Sequence, residues 1–258
     1  MDKEPVIEPP TLHRPPLGTL RMLQINLNHT RKAMQSAAKH ILENKIDIAL
    51  LQDAYVNKNS PNLFDFPSAW RTFQSKNENA HLIIANQNLI VNHLLATEDA
   101  VFVVLSAYEG DFVLGSFYAP TLHNQRRNGT RDPFQSMLDA WSHLTQREDM
   151  FFLCGGDFNA NSQLWGSPRT DDRGQTLMDF LVTNNLLLAN IENRKHTFQK
   201  YDGRGSLCAQ GYPDHTLTNP RLINHIHNWE VIDTENNSDH HYIHYEISLK
   251  PLNDTKAL

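Results

Sequence analysis

Cysteine is almost missing from this chain: its 258 residues include two, Cys154 and Cys208, with no metal-type spacing between them. That excludes a disulfide-stapled fold and a cysteine-ligated structural zinc, and it predicts a reduced protein with a nuclear or cytoplasmic address. The Asn-x-Ser/Thr triplets at Asn28, Asn128, Asn236 and Asn253 are then incidental. No run of about 18 apolar residues is present, so no spanning helix is expected. The opening Met1-Asp2-Lys3-Glu4-Pro5 lacks the basic and apolar regions of a secretion signal. An excess of positive charge is missing too. Lys+Arg number 23 against 29 Asp+Glu, a net charge of −6, so a polyanionic partner must meet a local basic face or bound cations.

What is present reads as a tail and one body. Residues 1–17 carry Pro5, Pro9, Pro10, Pro15 and Pro16 with little apolar content, which predicts a flexible or polyproline-like arm. The body spans residues 18–250, and 251–258 form a C-terminal tail. Apolar patterning predicts strands at Leu20–Leu27, Ile46–Leu51, His81–Ala85, Val101–Ala107, Phe112–Tyr118 and Met150–Cys154, the last ending at Gly155-Gly156. Strand-like pieces follow at Leu186–Ala189, Thr216–Leu217, Trp229–Ile232 and His241–Ile247. Helices are expected from Thr30, as cap, to about Asn44, from Pro133 to Thr145 behind Asp132, and from Gln175 to Asn184. Helices and strands mixed throughout, without a repeat or linker, imply one layered α/β domain.

Polar residues stand at the ends of these strands. Asn26 and Asn28 follow the first strand and Asp53 the second. Tyr118 ends a third, and Asp157 and Asn159 follow the two glycines. Asp214 flanks a fifth, and Ser238-Asp239-His240 opens the last. Any one of them also fits a turn former, and Gly156-Asp157-Phe158-Asn159 by itself equally fits an Asx-turn. As a set, hard oxygen ligands with one histidine at converging strand ends suit a cation-assisted attack on phosphate. The late histidines do not read as a zinc cluster, because alternation in His240-His241-Tyr242-Ile243-His244 puts His240 and Tyr242 on one side and His241 and Ile243 on the other. Arg126, Arg127 and Arg131 lie in a glycine-containing loop that suits phosphate contacts and equally fits a solvated surface loop before a helix. Trp165 is a further candidate for the substrate face, although a Trp packed under the site is the more usual outcome.

In order and spacing, Gln24-Ile25-Asn26-Leu27-Asn28, Leu51-Gln52-Asp53, Ser116-Phe117-Tyr118-Ala119-Pro120, Gly155-Gly156-Asp157-Phe158-Asn159, Asp214-His215-Thr216-Leu217 and Ser238-Asp239-His240 resemble the endonuclease/exonuclease/phosphatase superfamily, from about Leu20 to Leu249. Leu164-Trp165-Gly166-Ser167, Asp172-Arg173-Gly174, Thr197-Phe198 and Trp229-x-Val231 narrow the resemblance to the apurinic-endonuclease-like domain of R1/Jockey-type non-LTR retrotransposons.

The resemblance implies a four-layered sandwich of the α/β (α+β) class, two mixed β-sheets flanked by helices, and a Mg²⁺-dependent DNA endonuclease, with Mn²⁺ able to substitute. It implies that Asp53, Asn28, Asn26 and Asp239 hold the metal and that Asp157, with Asn159, readies the attacking water. His240 then binds the phosphate, Asp214 fixes its tautomer, and Tyr118 adds a hydroxyl contact. Double-stranded DNA is the implied partner, with a reverse transcriptase domain or element RNA if the chain belongs to a longer polyprotein; a free-standing protein is the other case. The sequence departs from the pattern where Asp53 replaces the usual glutamate, Asn28 an acid, Thr121 an asparagine and His215 an aliphatic residue. Two further readings stay open: a phosphatase of the same superfamily, and a catalytically weakened DNA-binding domain.

Overall fold

The computed structural model describes residues 18–56, 66–107, 109–121, 134–147, 149–190 and 195–248. The expected arm (1–17), the tail (251–258), and Arg126, Arg127, Arg131, Asp132 and Pro133 lie outside them.

Two six-stranded sheets carry the fold. The first contains β1 (Thr19–Asn26), β2 (Ile48–Gln52), β3 (Arg71–Gln74), β4 (Ala80–Ile84), β13 (Ile226–Ile232) and β14 (Tyr242–Ser248), in the spatial order β13-β14-β1-β2-β4-β3. The second contains β5 (Ile90–Ala96), β6 (Ala100–Ala107), β7 (Gly110–Tyr118), β8 (Phe151–Asp157), β9 (Leu187–Leu188) and β12 (Asp214–Thr218), in the order β5-β6-β7-β8-β12-β9. Both sheets are mixed. β1 runs parallel to β2 and β7 parallel to β8, and the other pairs are antiparallel. A separate ribbon pairs β10 (Phe198–Tyr201) with β11 (Leu207–Gly211).

Period-two patterning assembles the layers. The inward residues Leu20, Met22, Leu50, Leu82, Leu114, Leu153 and Ile243 fill the space between the sheets. Their neighbours Leu23, Ile25, Ala49, Leu51 and Ile83 point outward, under helix α1 (Arg31–Glu43). That helix buries Ala33, Met34, Ala37, Ala38 and Ile41, one face at helical spacing, and Thr30 caps it by accepting from Ala33 N. Helices α2 (Phe134–Thr145) and α3 (Asp172–Thr183) cover the outer face of the second sheet, where Trp141 meets Phe117 edge-on at 4.7 Å. A last short helix, α4 (Pro220–Ile223), leads into β13. The result is the expected helix–sheet–sheet–helix sandwich. No helix among the described residues is long and apolar enough to cross a membrane.

Several local expectations need correcting. The strand before the site does not stop at Gly155-Gly156 but runs through both to Asp157. The glycines serve close approach: a Cβ on Gly156 would lie 1.9 Å from Phe117 O, and one on Gly155 2.4 Å from Gln24 Oε1. Helix α3 begins at Asp172, three residues before the expected Gln175, because Asp171 caps it by accepting from Gly174 N. His240 and Tyr242 do not share a side. Tyr242 joins the layer under α1 while His240 bonds Asp214 of the other sheet, because β14 starts only at Tyr242 and alternation does not apply before it. Strands β3, β5, β10 and β11 were not expected at all. β10 and β11 are mostly solvent-exposed on both faces, so they carry no apolar alternation.

Candidate active site

Register brings the chemistry together. Tyr118 of β7 and Asp214 of β12 are both direct partners of Asp157 on β8, so three polar strand-end residues stand in a row across the second sheet. From the first sheet, Asn26 reaches across and donates from Nδ2 to Asp157 Oδ2 at 2.9 Å. The cleft at this edge, about 520 Å³, is lined by Asn26, Asn28, Asp53, Tyr118, Asp157, Asn159, Asp239 and His240, with Lys200 and Tyr212 from the β10–β11 ribbon and the stretch that follows it.

Asp157 is both an Asx-turn residue and a candidate base. Its Oδ1 accepts the Asn159 amide at 3.0 Å, while Oδ2 faces Asn26 and, at 4.0 Å, His240 Nε2. The carboxyl is buried, and burial with the neighbouring Asp214 charge raises its pKa to about 7, against the opposing effects of His240 and Asn26. His240 Nδ1 contacts Asp214 Oδ2 at 2.9 Å and Oδ1 at 3.2 Å. Burial by itself depresses the imidazole, but Asp214 (by charge and hydrogen bond), Asp157 and Asp53 outweigh it and raise its pKa to about 9. The backbone before His240 is pinned to β1, since Ser238 Oγ donates to Asn26 O at 2.7 Å and accepts from His240 N at 3.2 Å. Phe198 closes over the ring edge-on at 4.9 Å. Burial, then the charges of Asp53 and Asp157, push the Tyr118 pKa far up, so its hydroxyl remains a donor.

The strand ends are held in strained backbone. Asn28, His29, Asp53 and Asn159 all have positive φ, between 45° and 51°. Left-handed backbone costs a residue with a Cβ about 1–2 kcal/mol, and such residues persist where surrounding contacts over-determine them. Here His29 N donates to Asp53 O at 2.7 Å, and Asn159 Nδ2 donates to Ala119 O at 2.9 Å.

The remaining expected residues fall as follows. Asn26 has both amide atoms engaged, Oδ1 by Asn28 N at 2.8 Å and Nδ2 by Asp157, which suits it to brace Asp157. Asp239 Oδ2 accepts from Asn28 Nδ2 at 3.2 Å and lies 3.6 Å from Lys200 Nζ. Trp165 does not line the cleft. It is buried, donates from Nε1 to Ala160 O at 3.1 Å and packs edge-on against His215, because its large ring is covered by the core under the second sheet. His215 is buried on the far side of β12 from the site, and burial lowers its pKa to about 4, so it is neutral. Sequence reasoning missed His29 and Lys200. The only signal for His29 was its place directly after Asn26-Leu27-Asn28, and Lys200 gave none.

The donor set fits a divalent cation. Asp53, Asp157, Asp214 and Asp239 concentrate negative charge at one edge, and the buried Asp53 Oδ1 lies 3.1 Å from His29 Nε2 but has no hydrogen-bond partner among the described residues. Ligand atoms of Asp157, Asp214 and His240 all lie within 4.8 Å of one another.

Comparison with known proteins agrees with this architecture. The structure matches the endonuclease domain of TRAS1, a telomere-specific non-LTR retrotransposon, with a TM-score of 0.73 and 26% identity over 90% of this chain and 99% of that one. The AP endonuclease LMAP from Leishmania major matches with a TM-score of 0.70 over 90% of this chain and 89% of that one, at 11% identity. Humanized D. rerio TDP2 matches with a TM-score of 0.61 over 89% of this chain and 99% of that one, again at 11% identity; these last two likenesses concern the fold alone. No curated protein sequence matches the chain. The model of the endonuclease-reverse transcriptase family matches residues 112–244, more than half the chain, including Tyr118 of β7, all of β8 and β12, and His240. The chain belongs to the endonuclease-reverse transcriptase family.

Proposed function

We propose that the protein is a divalent-metal-dependent DNA endonuclease that nicks duplex DNA by in-line attack of water on a phosphodiester. The observation that carries this reading is the facing pair at the sandwich edge: a carboxylate whose pKa is near 7, Asp157, and an imidazole oriented by Asp214, His240, with Nε2 4.0 Å from Asp157 Oδ2. The likeness to a retrotransposon endonuclease domain supports a role in opening target DNA, with a 3′-hydroxyl left to prime reverse transcription.

In this reading deprotonated Asp157, oriented by Asn26 and Asn159, takes the proton of the attacking water. Protonated His240 presents Nε2–H to a phosphate oxygen, and Asp214 holds the ring and offsets its charge. The Tyr118 hydroxyl donates a further hydrogen bond to the phosphate. Asp53, with Asn28 and Asp239, would hold a divalent cation, Mg²⁺ or Mn²⁺, whose charge would offset the negative charge that develops on the phosphoryl group. Lys200 on the exposed ribbon and the Arg126, Arg127 and Arg131 loop are candidates for flanking phosphates.

The test is conversion of supercoiled plasmid to open circles with Mg²⁺ and Mn²⁺, wild type beside His240→Ala and Asp157→Ala. Metal-dependent nicking by wild type alone is the expected result. Salt-sensitive duplex binding without nicking would replace the nuclease by a DNA-binding domain, and turnover of small phosphate esters in place of plasmid would replace it by a phosphatase.

A further inference from the structure

The loop after β1 carries a side chain that the resemblance did not place at the metal. His29 is fixed in left-handed backbone (φ 51°), its amide donates to Asp53 O at 2.7 Å, and its Nδ1 lies 3.4 Å from Ala54 O. These tethers bring the other ring nitrogen, Nε2, to 3.1 Å from Asp53 Oδ1. Asp53 raises the His29 pKa in this contact, so the two form an ion pair when the imidazole is protonated; the atoms are not aligned as donor and acceptor, for Asp53 Oδ1 is buried and has no hydrogen-bond partner among the described residues. A nitrogen and an oxygen at this distance, off a common hydrogen-bond line, have the spacing of neighbouring ligands on one cation. Two bonds of about 2.1 Å at a right angle span about 3.0 Å. Both residues also line the cleft, together with Asn28.

We propose that His29 Nε2 and Asp53 Oδ1 together ligate the divalent cation of this chain, and that the imidazole biases the site toward Mn²⁺ and similar borderline ions over Mg²⁺. The inference rests on the reading of the cleft as a metal-dependent nuclease site. Asp53 has a short side chain, and His29 supplies a second donor from the neighbouring loop. A nitrogen donor favours transition ions, whereas Mg²⁺ prefers oxygen ligands and gives up water reluctantly.

Because the His29 side chain is 63% exposed, its replacement leaves the core intact. The experiment titrates metal-free wild type, His29→Asn and His29→Ala with Mn²⁺, followed by electron paramagnetic resonance, and with Mg²⁺, followed by calorimetry. Asparagine is included because it tolerates left-handed backbone. Both variants are expected to lose Mn²⁺ affinity on the order of 10- to 100-fold and Mg²⁺ affinity by less than about threefold. Co²⁺-loaded wild type should show a hyperfine-shifted imidazole N–H resonance that both variants lack. Equal loss of both ions, or Mn²⁺ affinity unchanged in both variants, overturns the role of His29. Wild type that nicks plasmid while the variants bind Mn²⁺ as tightly overturns this inference alone; wild type that binds neither ion overturns the metal-dependent reading with it.

Discussion

The space between the two sheets has two ends of different character. At one, Met22, Leu50, Leu114 and Leu153 meet in a dry apolar layer. Two residues further along the same strands stand Gln24, Gln52, Ser116 and Gly155, and two further again on three of them Asn26, Tyr118 and Asp157. The middle layer is tied across the sheets. Gln24 Nε2 donates to Gly156 O (3.3 Å) and His215 O (3.2 Å), Thr216 Oγ1 donates to Gln24 Oε1 (3.1 Å), and Gln52 Nε2 donates to Ser116 Oγ (3.0 Å). Apolar contact holds the sheets together without fixing direction, whereas hydrogen bonds are directional and are costly to leave unmade in a buried place. The polar layer therefore sets how one sheet edge faces the other, which is what puts Asn26 on Asp157. Stability is concentrated at one end of the sandwich and geometry at the other.

The largest expected effect is at the polar end. Asp214→Asn removes the partner of His240, and nicking should fall on the order of 10³- to 10⁴-fold, read as initial rates on plasmid, with the fold kept. At the apolar end Leu114→Ala should do the converse, costing about 2–5 kcal/mol in denaturant unfolding while the rate per folded molecule stays unchanged. A substantial loss of rate per folded molecule in Leu114→Ala would break the division between the ends. Gln24→Leu, in the layer between, should cost about 1–3 kcal/mol because two carbonyls lose a donor and the Thr216 hydroxyl loses its acceptor; it should also lower the rate, unlike Leu114→Ala.

The smallest and sharpest test uses charge. Asp157 has a folded-state pKa of about 7, above its ordinary 3.8, so the folded state holds a proton there that the unfolded state releases, and ionisation lowers stability as pH rises through that window. Metal-free Asp157→Asn should therefore melt at or above the wild-type temperature at pH 8, and that advantage should vanish by about pH 4. A variant less stable than wild type at pH 8 would mean that Asp157 stabilises the fold. The proposed reaction uses Asp157 deprotonated and His240 protonated, so on that reading the nicking rate should rise with pH through about 7 and fall through about 9.

Much of this was legible in the chain, for reasons that differ by residue. Strands β1, β2, β4, β6, β7 and β8 announce themselves because each buries one or both faces, and the cap at Thr30 is a local hydrogen bond that a local sequence can signal. The β10–β11 ribbon was silent, because strands exposed on both faces carry no burial pattern. Gly155-Gly156 is legible as special but reads as the end of the strand, since close approach to Gln24 and Phe117 involves residues far along the chain. Trp165 was visible as a large ring near the motif, but whether it faced the cleft or the core depended on how α3 closed over the second sheet.

Sequence by itself determined which residues share a strand end, because alternation fixes the face of a side chain and an abrupt change from apolar to polar fixes how far burial extends. It thereby named Asn26, Tyr118, Asp157 and Asp214 as neighbours in kind, whereas Asp53 and His240 lie just outside their strands and stand out by residue type alone. Only the tertiary structure decided their chemistry. The proton affinity of Asp157, the tie between Asp214 and His240, the engagement of both Asn26 amide atoms and the approach of His29 to Asp53 all depend on distances of a few ångströms and on exclusion of water. Charges and lone pairs act through space, and those distances exist only once the two sheets have closed.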